Sequence, residues 1–300
     1  MADRPLPREF GAATQAEYLV RRVSDRQELR RMLAPHRAYA AYALGQLQSR
    51  LFRNSAWWLS RGAEGEALVL HSRGGLGNAL FALGTVDALD AVLSLHPGPV
   101  QTFLTCQVHH LETVVRHFDL RTHESMMRMQ VDRDTFLAVE GDVRRLAGRD
   151  VQEMNRLYRS DGTPAFYTAE NIDDAVYYGA YDGDRLVAVA GTHVVSARDR
   201  IAVAGNVFTH PAYRGRGLGS LVTSAVTQHV FSKCQEVVLS VDPRNVAAVR
   251  AYRRLGYRDV GRLIEGAAVR RGGSVASFLR RRLAELRGRR HGAELVRIRT

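Results

Sequence analysis

The 300-residue chain holds only two cysteines, Cys106 and Cys234, and one lysine, Lys233. Two thiols cannot frame a chain of this length with disulfides. No C-x-x-C spacing offers a metal or redox pair either, so both are read as reduced thiols and no metal site is expected. No run reaches the roughly 18 apolar residues that a spanning helix needs, and residues 1–15 lack the apolar core of a secretory signal. A cytoplasmic protein without a membrane span is the expectation. The scarcity of lysine bears on charge. The formal net charge of +12 is carried almost wholly by arginine, and from Arg270 to Thr300 ten arginines face Glu285 and Glu294 alone. So lopsided a choice reads as coding bias rather than a surface built for polyanions, and nucleic-acid binding is not the expected role.

What is present is ordinary globular material, 45% hydrophobic and 25% charged. The length exceeds the roughly 100 to 200 residues of one domain, which points to two units. In the first, strands are expected at 18–23, 56–60, 67–71, 79–83, 101–106 and 126–131. Helices are expected after Ser24 and Asp25, with Leu29, Met32 and Leu33 on one face, and at 86–95 and 108–118. In the second, helices at 143–158 and 165–175 precede a hairpin of 177–181 with 186–195 around Asp182-Gly183-Asp184. A strand at 201–208, a helix at 218–231, a strand at 236–241, a helix at 245–255 and strands at 257–264 and 267–270 follow.

Both halves thus repeat one plan: helix, antiparallel meander, helix, strand, helix, strand. The fold class is α/β (α+β), a tandem in which each half is a mixed, mostly antiparallel sheet flanked by helices. The expected boundaries are 1–135, 136–272, and a basic amphipathic helix and tail at 273–300, with Val275, Phe278, Leu279, Leu283 and Leu286 at helical spacing.

Chemistry concentrates at Asn206-Val207-Phe208-Thr209-His210-Pro211-Ala212-Tyr213-Arg214-Gly215-Arg216-Gly217-Leu218-Gly219-Ser220. It reads as a buried strand, a Pro-containing turn, a Gly-rich loop and an immediate helix. Such a junction suits a phosphate: first-turn N–H groups lack internal partners, the helix dipole adds positive charge, and glycine lets the backbone approach an anion. A Walker loop is excluded because no lysine stands here, and a dinucleotide-binding loop would follow a first parallel strand rather than a hairpin.

Arg214-Gly215-Arg216-Gly217-Leu218-Gly219 resembles the Q/R-x-x-G-x-G/A cofactor motif of the GNAT acetyltransferase superfamily. Asn245-Val-Ala-Ala248-Val-Arg-Ala-Tyr252-Arg-Arg-Leu-Gly256-Tyr257 is similar to that family's second motif, and the likeness covers about residues 142–271. The resemblance implies an acetyl-coenzyme A cosubstrate, no metal, and a transfer of acetyl to a primary amine within a ternary complex. It further implies that the strand around Val207, Phe208 and Thr209 splays from the next one to admit the pantetheine arm, with a backbone N–H at Val207 or Phe208 polarising the thioester carbonyl. Arg214 to Ser220 would hold the pyrophosphate. Asn245, Ala248 and Tyr252 would line the cofactor, with Asn245 also capping its helix and Tyr252 acting as general acid toward the departing thiolate.

No carboxylate stands on strand 201–208, where several family members keep their general base. His193, Glu170, Glu265 and a water relay remain open for that role. The first half has no cofactor loop; Arg73-Gly74-Gly75-Leu76-Gly77 reads as a hairpin turn. That half would wall the acceptor pocket, form a homodimer contact or brace its neighbour. The competing function is a non-catalytic acyl-coenzyme A sensor or scaffold.

Overall fold

The computed structural model describes residues 15–74, 77–162, 164–272 and 292–299. The first half runs β1 (Gln15–Val23), α1 (Arg26–Leu33), α2 (Ala41–Gly45), α3 (Ser49–Phe52), β2 (Ser55–Gly62), β3 (Gly65–Gly74), β4 (Gly77–Gly84), α4 (Val86–Leu95), β5 (Gln101–Cys106), α5 (Leu111–His117) and β6 (Phe118–Asp132). The second runs β7 (Arg144–Arg145), α6 (Val151–Tyr158), α7 (Ala169–Asp173), β8 (Tyr177–Asp182), β9 (Arg185–Ser196), β10 (Ile201–Thr209), α8 (Leu218–Val230), β11 (Glu236–Val241), α9 (Val246–Arg254) and β12 (Arg258–Arg270). A last strand, β13 (Glu294–Arg299), pairs antiparallel with β1.

The described strands form one sheet in the order β13-β1-β2-β3-β4-β5-β12-β6-β11-β10-β9-β8-β7. The order reads alike from either side of the central β12/β6 pair. β4 and β5 match β10 and β11, each pair parallel over only three residues, and the meanders β1-β2-β3-β4 and β7-β8-β9-β10 match outward from there. The two halves exchange their closing strands: β6 pairs with β11 of the second half, and β12 pairs with β5 of the first. A cut at residue 135 therefore divides the chain but not the sheet.

Alternation on the strands sorts side chains to two faces. Met127, Met129, Ala202, Ala204, Val237 and Leu239 pack under α8 and α9. Val203 and Val238 turn to the other face, where they join Leu29, Leu33, Leu44 and Trp57 from the first half. Residues 37–54, to which the sequence reading assigned no element, form the short helices that bridge the halves there. Gly45 lies so close to β9 that a Cβ would fall 2.3 Å from Val194.

Two expected helices are shorter than the periodicity suggested. Residues 144–145 pair with β8 instead of starting a helix. Asp150 and Asp173 then accept the N–H groups of Ala147 and Gly148 at 2.8 and 2.7 Å, so the helix begins only at Val151. The next helix is confined to Ala169–Asp173 by a Thr168/Asn171 capping box. The two expected closing strands are one, continuous through Gly266, where a Cβ would meet the Thr122 carbonyl at 1.9 Å. Positions 275–286, expected as an amphipathic helix, lie outside the described residues.

Two buried histidines make the fold acid-sensitive. His71 and His110 meet the carbonyls of His96 and Gly84 at 2.8 Å, and burial lowers each pKa to about 4. Below pH 6.5 the unfolded chain binds the protons that the folded one refuses, so stability falls with pH down to about 4. Denaturant unfolding at pH 7 and 5 should differ by about 2 kcal/mol per histidine, and His110→Asn should flatten the slope. A pH-independent unfolding free energy over that window would refute this account.

Candidate active site

The loop after β10 is open. Gly215 and Gly217 both stand at φ +80°, which glycine adopts at no steric cost, and an added Cβ at either would meet nothing within 4 Å. Gly217 is the N-cap of α8 and supplies no side-chain cap; the first backbone bond into the helix is Leu221 N–H to the Gly217 carbonyl at 3.1 Å. Among the described residues no acceptor meets the N–H groups of Gly215 through Ser220. Thr223 turns its hydroxyl back to the Gly219 carbonyl at 2.7 Å, away from those donors.

Two guanidinium groups flank the loop. Arg214 donates to the Thr209 carbonyl at 3.1 Å, pairs with Asp161 at 3.3 Å and lies 5.7 Å from the Phe208 ring centroid. Arg216 bonds the Ala212 carbonyl at 3.3 Å, stacks over Tyr213 and has no acidic partner among the described residues. Unpartnered amides, a helix N-terminus and a cation thus lie together on one exposed loop.

β10 leaves β11 just before this loop. The strands pair at Ile201, Ala202 and Val203 with Glu236, Val237 and Val238 and no further. The divergence begins at a bulge: the register against β9 slips between Gly205 and Phe208, and Asn206 holds φ +52°. Tyrosines pin that conformation. The Tyr158 hydroxyl donates to the Asn206 carbonyl, and the Asn206 amide donates to Tyr177 at 2.7 Å. Val207 then turns into the α8/α9 core, while Phe208 packs 5.3 Å from Tyr158 on the opposite face.

α9 follows β11 and packs with α8 over the same core. The Asn245 side chain caps it by accepting the Ala248 N–H at 3.1 Å, a contact worth about 1 kcal/mol. Tyr252 projects into the core with 7% of its surface exposed, and burial pushes its pKa up to about 12. Its hydroxyl has no hydrogen-bond partner among the described residues, unlike that of Tyr257, which meets Thr227 at 2.7 Å.

The corresponding gap in the first half is closed. Thr85 alone separates β4 from α4, so there is no loop to cradle an anion. The free carbonyls of β4 are already used: Tyr39 donates to Ala82, and His110 and His109 reach Gly84 at 2.8 and 3.2 Å. Gly74 and Gly77 face each other across the β3/β4 hairpin, as expected of a turn.

On the sheet face opposite α8, polar groups from both halves gather beside Ser240, which lies on β11 beyond the last residue paired with β10 and opposite Arg128 of β6. Ser240 donates to Glu265 Oε1 at 3.3 Å. Burial raises the Glu265 pKa, opposed by Arg128 and by the Ser240 bond. Arg128 of β6 lies 3.9 Å from the same carboxylate and 5.6 Å from the Tyr42 ring. His193 lies 5.6 Å from Tyr42 and flat against Gly205, where a Cβ would fall 2.2 Å from its Nε2. It keeps accessible surface, as a group lining a cleft does, yet the protein around it withdraws enough water to lower its pKa to about 4, with Arg128 acting in the same sense.

Glu170, the remaining candidate base, is a surface residue tied to Arg50 at 2.6 Å. Arg128, Tyr42 and Ser240 were not found from the sequence. Arg128 alone left a signal, a cation on the apolar strand Met126-Met127-Arg128-Met129, because an arginine is almost never buried without a reason.

Comparison with known proteins accords with this geometry. Residues 149–257 match the acetyltransferase (GNAT) family. Over 90 residues, or 28% of the chain, it is 36% identical to a spermine/spermidine N(1)-acetyltransferase of Bacillus subtilis (strain 168). The chain spans 59% of the length of the curated relatives it matches. A GCN5-related N-acetyltransferase from Kribbella flavida superposes with a TM-score of 0.56 at 18% identity, over 79% of this chain and 97% of that one. A tandem GNAT protein from the clavulanic acid biosynthesis pathway gives 0.50 at 14% identity, over 85% and 99%. At such identities these likenesses speak to fold, and they span both halves. Residues 149–257 are a domain of the acetyltransferase (GNAT) family.

Proposed function

We propose that the chain is an acetyl-coenzyme A-dependent N-acyltransferase that moves acetyl to a primary amine by direct attack in a ternary complex. One observation carries this reading: a row of unpartnered amides, Gly215 to Ser220, opens onto a gap between β10 and β11 whose facing backbone is unpaired. The amides would take the pyrophosphate, and the gap the pantetheine arm. At the bulge, an N–H of Val207 or Phe208 would bind the carbonyl oxygen most strongly as it becomes an oxyanion, which is where binding accelerates a reaction.

Glu265 is the base we assign. Among the three side chains considered it alone combines a raised pKa with a position beside the gap; His193, at about 4, is too weak a base, and Glu170 is engaged by Arg50. Glu265 would take a proton from the ammonium, the amine nitrogen would bond to the acetyl carbon, and the C–S bond would break. A free thiol titrates near 8.5, so a phenol near 12 stays protonated and stabilises the departing thiolate by donating a hydrogen bond.

The test is calorimetry with coenzyme A followed by thiol release from acetyl-coenzyme A with a panel of amines. Binding with amine-dependent release is expected. Binding without release under every amine would favour the sensor reading, and no binding would reject both. Gly217→Val, which forces a β-branched residue to φ +80°, should weaken coenzyme A at least about tenfold.

A further inference from the structure

Arg128 is buried more deeply than any other charged residue described, with 2% of its surface exposed. Its Nε, Nη1 and Nη2 atoms have no hydrogen-bond partner among the described residues. Among the described residues its one ion-pair partner is Glu265, at 3.9 Å, beyond hydrogen-bond length, and that carboxylate accepts a bond from Ser240 instead. A guanidinium carries five N–H donors in a planar fork, and leaving them unmet out of water costs more than for any neutral group. The aromatic face of Tyr42 offsets little of that. So a full set of donors is held buried beside Tyr42 and Glu265, without an acceptor among the described residues.

We infer that the acceptor amine carries a carboxylate, and that Arg128 binds it: an unpartnered, buried guanidinium lies next to the carboxylate and serine at the mouth of the acyl gap. The inference rests on the acyl-transfer reading of that gap. Its open sides are those of His193 and Glu265, which keeps 12% of its side chain exposed. An amino acid-like acceptor entering there sets its ammonium against Glu265 and its carboxylate against the fork of Arg128, two parallel charge-assisted bonds. Charges then alternate and sum to zero: Arg128 and the ammonium against Glu265 and the acceptor carboxylate. A polyamine would add two or more cations beside a buried arginine with only Glu265 to meet them, which disfavours it. A dianionic phosphate would leave one negative charge uncompensated.

The remaining groups around the fork suit this ligand. Tyr42 and Tyr39 stay neutral because burial raises their pKa, and His193 stays neutral because the surrounding protein displaces water from its ring and Arg128 repels its proton. Among these groups Arg128 is therefore the fixed cation. It comes from β6, in the first half of the chain, and Tyr42 from α2. The first half thus supplies the anchor that distinguishes acceptors, and the second holds the cofactor. The chemistry balances: Glu265 receives one ammonium proton, the N–C bond replaces the C–S bond, and the thiolate leaves as coenzyme A, with one proton released to solvent.

The experiment uses the full chain with glycine, L-leucine and L-phenylalanine, each beside its carboxamide, and spermidine, followed by thiol release. At least one amino acid should exceed its amide by about 30-fold in kcat/KM, the worth of a paired charge-assisted contact. In Arg128→Gln that ratio should fall to about 1. Arg128→Lys, which keeps the charge but loses the fork, should raise KM by about tenfold at similar kcat. Equal or better use of the amides or spermidine overturns the inference, as does a carboxylate preference that survives Arg128→Gln. A separate arm reads the anchor without turnover: propionate should raise the melting temperature of the wild type and not of a folded Arg128→Gln. Coenzyme A binding that persists while propionate has no effect sinks the anchor but leaves the acyltransferase reading intact. Absent coenzyme A binding, with the propionate shift retained, does the reverse.

Discussion

Replacing Glu265 by glutamine should lower kcat/KM about 1,000-fold while coenzyme A affinity changes little, since acid and base groups contribute roughly 10² to 10⁴ to rate. The isostere keeps the volume and can still accept from Ser240, so the loss would report proton transfer. The pH profile separates this from a packing defect. Burial raises the Glu265 pKa above the usual carboxylate value, and Arg128 and Ser240 restrain the rise. In the wild type, kcat/KM should climb with pH through that value as the carboxylate ionises; in Glu265→Gln that limb should vanish and only the acceptor's own ammonium should titrate. A variant that retains both rate and limb would move the base elsewhere, to water or His193.

Tyr252→Phe should reduce kcat by about 100-fold with an unchanged KM for acetyl-coenzyme A, the signature of a contact made chiefly in the transition state. The hydroxyl is the only atom removed, and it bonds to nothing among the described residues, so stability should hold. Because burial raises the phenol to about 12, no falling limb from its ionisation is expected below pH 10. Acyl donors with better leaving thiols should suffer less from the substitution. Full activity in Tyr252→Phe would reduce Tyr252 to a core residue.

The local backbone around the loop was legible because it is written in short, contiguous signals. Gly215 and Gly217 mark a backbone needing positive φ, Asn245 marks a cap, and Leu218 begins a helix whose buried face is Val222, Val226 and Val230. Most strands of both meanders were equally plain, because alternation and turn residues act over a few positions. Where contacts between distant segments decide the structure, the sequence was silent. Nothing in residues 118–132 announces that β6 will cross to β11, or that β12 will slot between β5 and β6. The helix expected at 143–158 starts late because Asp173, far along the chain, takes the Gly148 N–H.

The polar cluster beside Ser240 shows the same limit more sharply. Tyr42, Arg128, His193, Ser240 and Glu265 come from five elements in two halves, with no spacing to connect them. Only the strand exchange assembles them. Closure of the first half's own gap is similarly non-local: His110 and Tyr39 cap carbonyls of β4 from separate segments. In the first half, the strand arrangement of the second is kept while the free backbone of β4 is spent on protein contacts.

A crystal structure of the full chain with coenzyme A tests the central claim most directly. The account predicts the pyrophosphate within hydrogen-bond distance of the Gly215 to Ser220 amides and the thiol between β10 and β11, facing Tyr252. Coenzyme A lodged at the β4/β5 side, or a loop whose amides stay free at saturating ligand, would contradict it.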